Sequence, residues 1–296
     1  MQTSRPKSPL PPEEIRPWRF PRADPFYRID RFTGIATLSG MSSALYHLGF
    51  GPDDLPAEGV AFALLSGDPG RARQIADDHM EEMRPLSENR GLHSYLGRIS
   101  GQWVLSATSG MGAPSLSIIV NELIQVGVKA IVRVGTCGSI QPHVKVGDVV
   151  VSSGALCQQG AANDIAPAEY PAVADPFLTV SLARIARELG IAHHVGITAS
   201  LDTFYEGQER TDSANPTLLP SLRGRIAAYR ELNVLNMEME AATLFKMASV
   251  YGFRAACVCA VIAQRTESEQ VVLDRKGGAV DNAIRLAAGC VGQTGE

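Results

Sequence analysis

The stretch DTFYEGQER, residues 202–210, sets an amide (Gln208) and a guanidinium (Arg210) two positions apart, behind the aromatic pair Phe204 and Tyr205. An amide donates and accepts in one plane, whereas a guanidinium only donates. Beside an aromatic face, such a pair can read the edge of a flat, polar ring. The plainer alternative is a polar surface loop with a tyrosine stacked on its edge. Two other clusters are cationic. GDPGR (67–71) puts Arg71 just after Gly67, at a turn that opens a helix whose free N–H groups can meet an anion. VRVGTCGSI (132–140) buries Arg133 in an apolar run, where an unpaired guanidinium is costly. Arg133 therefore needs a carboxylate or an anionic ligand. Gly135 and Gly138 let backbone approach a ligand closely, and Thr136 offers a hydroxyl. Glycines, threonine and arginine together suit a phosphate.

NMEMEAATLF (236–245) adds Glu238 and Glu240, read here as the first turn of a helix over 236–252. They could simply favour the helix dipole. A single glutamate accepting two vicinal hydroxyls would instead make a sugar clamp, with Met239 as its apolar floor. Positions two apart face different ways on a helix, which argues against a catalytic carboxylate pair. Other chemistries lack their signatures. No G-K-[ST] makes a Walker loop, and GMGAPS (110–115) only imitates a dinucleotide fingerprint, with Ser115 in the third glycine's place. The histidines at 79, 93, 143, 193 and 194 show no metal spacing, and Cys257-x-Cys259 has no second ligand pair nearby. On a strand those two cysteines would share one face as small core residues. No G-x-S-x-G elbow supports serine catalysis.

The elements that must position these residues alternate. Apolar runs at 60–67, 102–110, 129–140, around 146–155, at 193–202 and at 254–266 read as strands, each running into a polar turn. Helical patterns lie between them, the first opened by Asp68 as N-cap and Pro69 in the first turn. Strands alternating with helices imply a single-domain, three-layer α/β/α fold with a central mixed, mostly parallel, twisted sheet. In such sheets functional loops gather at the carboxyl ends of the strands, where GDPGR, SGMG, GTCG, DTFYEGQER and QRT sit. Residues 1–40 form a proline- and arginine-rich extension, flexible or surface-wrapped, and 41–296 the folded domain. A net charge of −4 leaves no basic surplus for nucleic acid. No apolar run reaches membrane-spanning length, and five irregularly spaced cysteines fit a reducing, cytoplasmic setting.

Several motifs in one order resemble nucleoside phosphorylase family I, and within it the uridine-cleaving members. They are GDPGR, RVGTCGSIQPHVKVGDVVV, AEYPAVAD, VGITASLDTFYEGQER, NMEMEAATLF and VIAQRT, spread over roughly residues 41–265. The resemblance implies reversible phosphorolysis of uridine to uracil and ribose 1-phosphate in pyrimidine salvage, with activity on deoxyuridine and thymidine left open. It implies a phosphate site of Gly67, Arg71, Arg133 and Thr136, completed by Arg90 (in ENRGLHSY) from a neighbouring subunit. It assigns the ribose to Met239 and Glu240 with Glu238 beside them, and its 5′-hydroxyl to His47 (in YHLGF) across the same interface. It assigns the base to Phe204, Gln208 and Arg210, beside Cys137, Gly138 and Arg265. Arg133, Gln208 and Arg210 would act in catalysis. Phosphate is then a co-substrate, no cofactor or resident metal is required, and the working unit is a homo-oligomer, at least a dimer.

Two departures stand out. Cys137 replaces a hydroxyl residue, and Gly91 stands where bacterial members carry a glutamate linked to a monovalent cation, which leaves an interface cation open. Ala263 and Gln264 occupy the stretch where purine-cleaving relatives place an aspartate. The rival readings are a nucleosidase of the same fold, using water, and a non-catalytic nucleoside-binding protein.

Overall fold

The computed structural model describes residues 44–266 and 276–292, so the expectation for the 1–40 extension lies outside the described residues. The chain runs β1 (Phe62–Ser66), α1 (Pro69–His79), β2 (Glu81–Ser87), β3 (Ser94–Ile99), β4 (Gln102–Thr108), α2 (Ala113–Gln125) and β5 (Ala130–Ser139). It continues through β6 (Val149–Gln158), α3 (Gly160–Ile165), β7 (Ala172–Val173), α4 (Pro176–Glu188) and β8 (His193–Leu201). It ends with α5 (Arg225–Glu231), β9 (Asn236–Glu238), α6 (Ala241–Tyr251), β10 (Arg254–Gln264) and α7 (Lys276–Gly289).

The central strands are apolar throughout because both sheet faces are covered. On β10 the residues alternate cleanly. Ala255, Cys257, Cys259 and Val261 face a core built with Leu116 and Leu123 of α2 and Phe245 of α6. Ala256, Val258 and Ala260 face a second core with Leu178 and Leu182 of α4 and Ile284 of α7. That is the three-layer α/β architecture expected from the alternation, and the two cysteines share a face, with their sulfurs 3.6 Å apart. Arg133 on β5 follows Ile131 at a two-residue step, so it points to the α2/α6 side.

The sheet is mixed, as expected. Among the described residues the parallel pairings join more residues than the antiparallel ones. The strand order is β10-β6-β8-β9-β5-β1-β4-β3-β2, and β10 also pairs β5. Strands β5, β10, β6, β8 and β9 thus close a ring, while β4, β3 and β2 form an antiparallel meander at the other end. The β2–β3 hairpin escaped the sequence reading because β2 is polar and exposed or half-exposed along its length.

The expected helix over 236–252 is also corrected. Residues 236–238 are strand β9, and α6 starts at Ala241 with Glu240 as its N-cap. Asn236 and Met237 pair with β5 on one side and β8 on the other. Sheet partners on both flanks outweigh the helix propensity of Met and Glu. The one fully buried lysine among the described residues, Lys246, donates from Nζ to the carbonyls of Ala166 (3.2 Å) and Pro167 (2.7 Å), just past the end of α3. Lys246→Met keeps the volume but strips those carbonyls of their donor. It should cost about 1–3 kcal/mol, read as a lower urea midpoint with an unchanged slope.

Candidate active site

A cleft of about 460 Å³ opens where β1, β5 and the loop after β8 end. At its floor, Gly67 closes β1 and Asp68 caps α1 by accepting from Gly70 N at 2.8 Å. A Cβ on Gly67 would stand 3.2 Å from the Gly110 carbonyl, so glycine lets the two turns meet. Arg71, buried in the first turns of α1, donates from Nη1 to Val134 O at 3.2 Å, while its Nε has no partner. Burial, and then the neighbouring Arg133, pull the Arg71 pKa below its ordinary value. The guanidinium of Arg133 likewise leaves Nη1 without a partner. Unpaired buried N–H groups are costly, and two of them on neighbouring cations are of the kind an oxyanion can satisfy.

Arg133 is held by both glutamates. Its Nε donates to Glu238 Oε2 at 3.4 Å and its Nη2 to Glu240 Oε2. Burial works against the charged arginine, but Glu240 and Glu238 outweigh it and hold its pKa above the ordinary value. Gly135 makes room for this: a Cβ there would lie 2.7 Å from Cys259 Sγ and 3.1 Å from Arg133 Nη2. Of the two partners weighed for Arg133 from the sequence, the carboxylate is therefore present, and an anion can add to it. The two-residue spacing does splay Glu238 and Glu240, yet they reach the same guanidinium from different sides.

The glutamates are used differently. Glu238 accepts from Ser200 Oγ (2.5 Å), from Glu240 N (2.8 Å) and from Ala241 N (3.0 Å), besides Arg133. Its carboxylate is taken up in orienting Arg133 and opening α6. Glu240 spends Oε1 on Gly112 N at 2.6 Å and faces the cleft beside Met239. Met239 is fixed through its carbonyl, which accepts from the buried Gln159 side chain at 2.5 Å.

Phe204, Gln208 and Arg210 also line the cleft. Gln208 and Arg210 are 3% and 6% exposed, so neither is a solvated surface group, although Phe204 and Tyr205 beside them are exposed. The Arg210 guanidinium stacks 4.0 Å over the Phe204 ring, and Tyr205 meets that ring edge-on. Thr136, Cys137 and Gly138 of β5 form the adjoining wall. Burial and contact with Cys259 push the Cys137 thiol well up, so it stays a neutral donor. Arg265 packs against Gly138 and donates from Nη2 to Gln208 O at 3.0 Å, so it supports the backbone of the amide residue.

Two expected residues lie elsewhere. Neither His47 nor Arg90 lines this cleft. They share another patch, where Asn89 Nδ2 bonds the carbonyls of Tyr46 and His47 and Arg90 lies 5.8 Å from the Tyr46 ring centre. Glu122 on α2 orients His47, meeting Nδ1 at 2.6 Å and the Leu48 amide at 2.7 Å. Sequence reasoning missed Ser200, Gln159, Gly112 and Glu122. Ser200 comes beside Glu238 only through the β8–β9 register, which the sequence does not show.

Comparison of the sequence with known proteins identifies the family. The model of the phosphorylase superfamily matches residues 61–293. The uridine phosphorylase of Haemophilus influenzae is 41% identical over 227 residues, covering 77% of this chain and 89% of the relative. That of Thermococcus kodakarensis is 38% identical over 224 residues, covering 76% and 79%. A DeoD-type purine nucleoside phosphorylase of Tolumonas auensis is 34% identical over 237 residues, covering 78% and 94%. With paired buried arginines, a carboxylate clamp and an amide–guanidinium pair set along one cleft in a matching fold, the chain belongs to the phosphorylase superfamily, alongside the uridine phosphorylases.

Proposed function

We propose that the chain catalyses the reversible phosphorolysis of uridine, giving uracil and ribose 1-phosphate. The observation that carries this reading is that one cleft gathers three kinds of group: Arg71 and Arg133 with unpartnered buried N–H groups, Glu240 with Met239, and Gln208 with Arg210. Those groups suit phosphate, ribose and base.

Uracil offers acceptor, donor, acceptor along O2, N3–H and O4. The Gln208 amide gives N–H to O2 and takes N3–H, while Arg210 donates to O4. Cytosine turns the last two groups around and would face the guanidinium with an amino group. Ala263 lines the cleft, and the Gln264 side chain is spent on the carbonyls of Gln141 and Val144, so this stretch offers no acid to a purine N7.

As the glycosidic bond stretches, the sugar gains positive charge and the base leaves as an anion. Phosphate held by Arg71, Arg133, Gly67 and Thr136 stabilises the sugar and attacks C1′. Negative charge then spreads to O2 and O4, where Gln208 and Arg210 bind it more tightly than in the ground state. One such donor is worth about 3 kcal/mol in the transition state. Phosphate is the co-substrate, and no cofactor enters the reaction.

Arg90 and His47, side by side outside their own cleft, complete the phosphate and 5′-hydroxyl ends of a second copy's site, making the working unit at least a dimer. Five free cysteines support a reducing, cytoplasmic setting. Among the described residues no helix is long and apolar enough to cross a membrane.

Uracil release from uridine, assayed with and without phosphate and with cytidine and inosine as controls, tests the proposal. Release should need phosphate and occur only from uridine. Release without phosphate identifies a hydrolase, and no release from any of the three leaves a binding protein. Gln208→Leu and Arg210→Ala should each lower kcat/KM for uridine about 10²–10³-fold while the KM for phosphate holds.

A pH effect follows from Glu238. Burial raises its carboxyl to about 7, with Arg133 opposing the shift and Glu240 adding to it. The folded state therefore holds a proton that the unfolded chain releases near 4.5. This contribution to stability is complete below about 4.5 and fades as pH rises through about 7. Glu238→Gln should flatten the fall of the urea midpoint between about pH 5 and 8; an unchanged slope would assign the proton to another group.

A further inference from the structure

Between Gln208 and Arg210 sits Glu209, to which the proposed reaction gives no role. Its φ of +49° is left-handed, a conformation costly for a residue with a side chain. What holds it there is its own carboxylate. Oε1 accepts from Gly224 N and Oε2 from Ile226 N, each at 2.5 Å, at the opening of α5. Gly224, the N-cap of that helix, has no side chain to cap it. Glu209 supplies the missing cap from 15 residues away in sequence.

The tether is firm at both ends. Helix α5 is seated through buried Tyr229 and half-buried Ile226 on a small core of Ile140, Leu201 and Met237, and Met237 also lines the cleft. On the loop side, the left-handed step folds a tight turn in which Glu209 N donates to Glu206 O (3.1 Å) and Arg210 N to Tyr205 O (2.8 Å). Gly207 completes the turn: its N donates to Thr203 Oγ1 at 2.7 Å, and a Cβ there would meet Thr203 O at 2.9 Å. A turn this tight gives Gln208 and Arg210 little freedom once Glu209 is fixed.

The geometry points to Glu209 as the positioning residue of the base-reading pair: its bond to the start of α5 sets where the Gln208 amide and the Arg210 guanidinium stand, and so tunes selectivity between uracil and cytosine. This rests on the proposed uridine reaction, but the tether can be tested without it. A residue serving only as a helix cap would lower thermal stability and leave the kinetic constants alone.

Two measurements on the intact protein and its Glu209→Ala, Glu209→Gly and Glu209→Gln variants decide the matter. In hydrogen exchange, which needs no substrate, amides of 207–210 and 224–228 should exchange faster in the Ala and Gly variants; unchanged exchange overturns the tether. In kinetics, Glu209→Ala should raise the KM for uridine and lower kcat/KM by up to about 100-fold, narrow the uridine-to-cytidine preference, and leave the KM for phosphate unchanged. Glu209→Gln, keeping one acceptor, should recover part of the loss. Glu209→Gly relieves the backbone strain without restoring the tether, so it should do no better than Ala. A Gly variant with wild-type constants, or phosphate and uridine constants worsening together with Tm, overturns the proposal. Should the wild-type chain release no uracil from uridine, the uridine reading falls by itself while the exchange data still judge the tether.

Discussion

The site depends on one guanidinium. Arg133 lies fully inside the sheet layer, and two glutamates from one turn hold it, one at Nε and one at Nη2. A buried triad of this kind is weak support for stability, because desolvation consumes most of what the charges gain from one another. Its value here is geometric. The arginine cannot swing, so its remaining N–H group has a fixed direction. The turn that carries the glutamates is fixed in its turn by Ser200 and by the backbone amides at 240 and 241.

Glu240 touches both Arg133 and the Gly112 amide at the start of α2, so the arginine proposed for phosphate and the residue proposed for ribose share one carboxylate. Donors placed before the reactants arrive need no reorganisation during the reaction, which is the main source of electrostatic catalysis. The loop proposed to read the base shares β8 with that triad, since Ser200 bonds Glu238 just before the loop begins, and it is held further by α5 and Arg265.

Much of this was legible in the chain, for physical reasons. A charged residue inside an apolar strand must have partners, which marked Arg133 as functional or paired; it is paired and still has a donor to spare. Strand ends carrying Gly67, Thr136 and Gln208 were readable from the alternation of apolar runs and turns. The 236–240 segment was not, because local propensity favours helix and only the flanking strands β5 and β8, far away in sequence, make it a strand. Ser200, Gln159 and Glu122 were hidden for the same reason. Each is an ordinary polar residue whose importance comes from a contact more than 35 positions away.

The hairpin at the far end of the sheet has a consequence for how copies of this chain meet in solution. Ring closure leaves strands β5, β10, β6, β8 and β9 paired on both sides, so among the described residues the long free edge of the sheet belongs to β2. An open edge is a template for sheet-to-sheet aggregation. Strand β2 carries Glu81, Glu82 and Arg84, a proline at 85 that cannot donate a ladder bond, and two register breaks against β3. Glu82 adds a left-handed kink. The polar strand that is hardest to recognise in the sequence is thus the one that guards the fold against growing by one more strand.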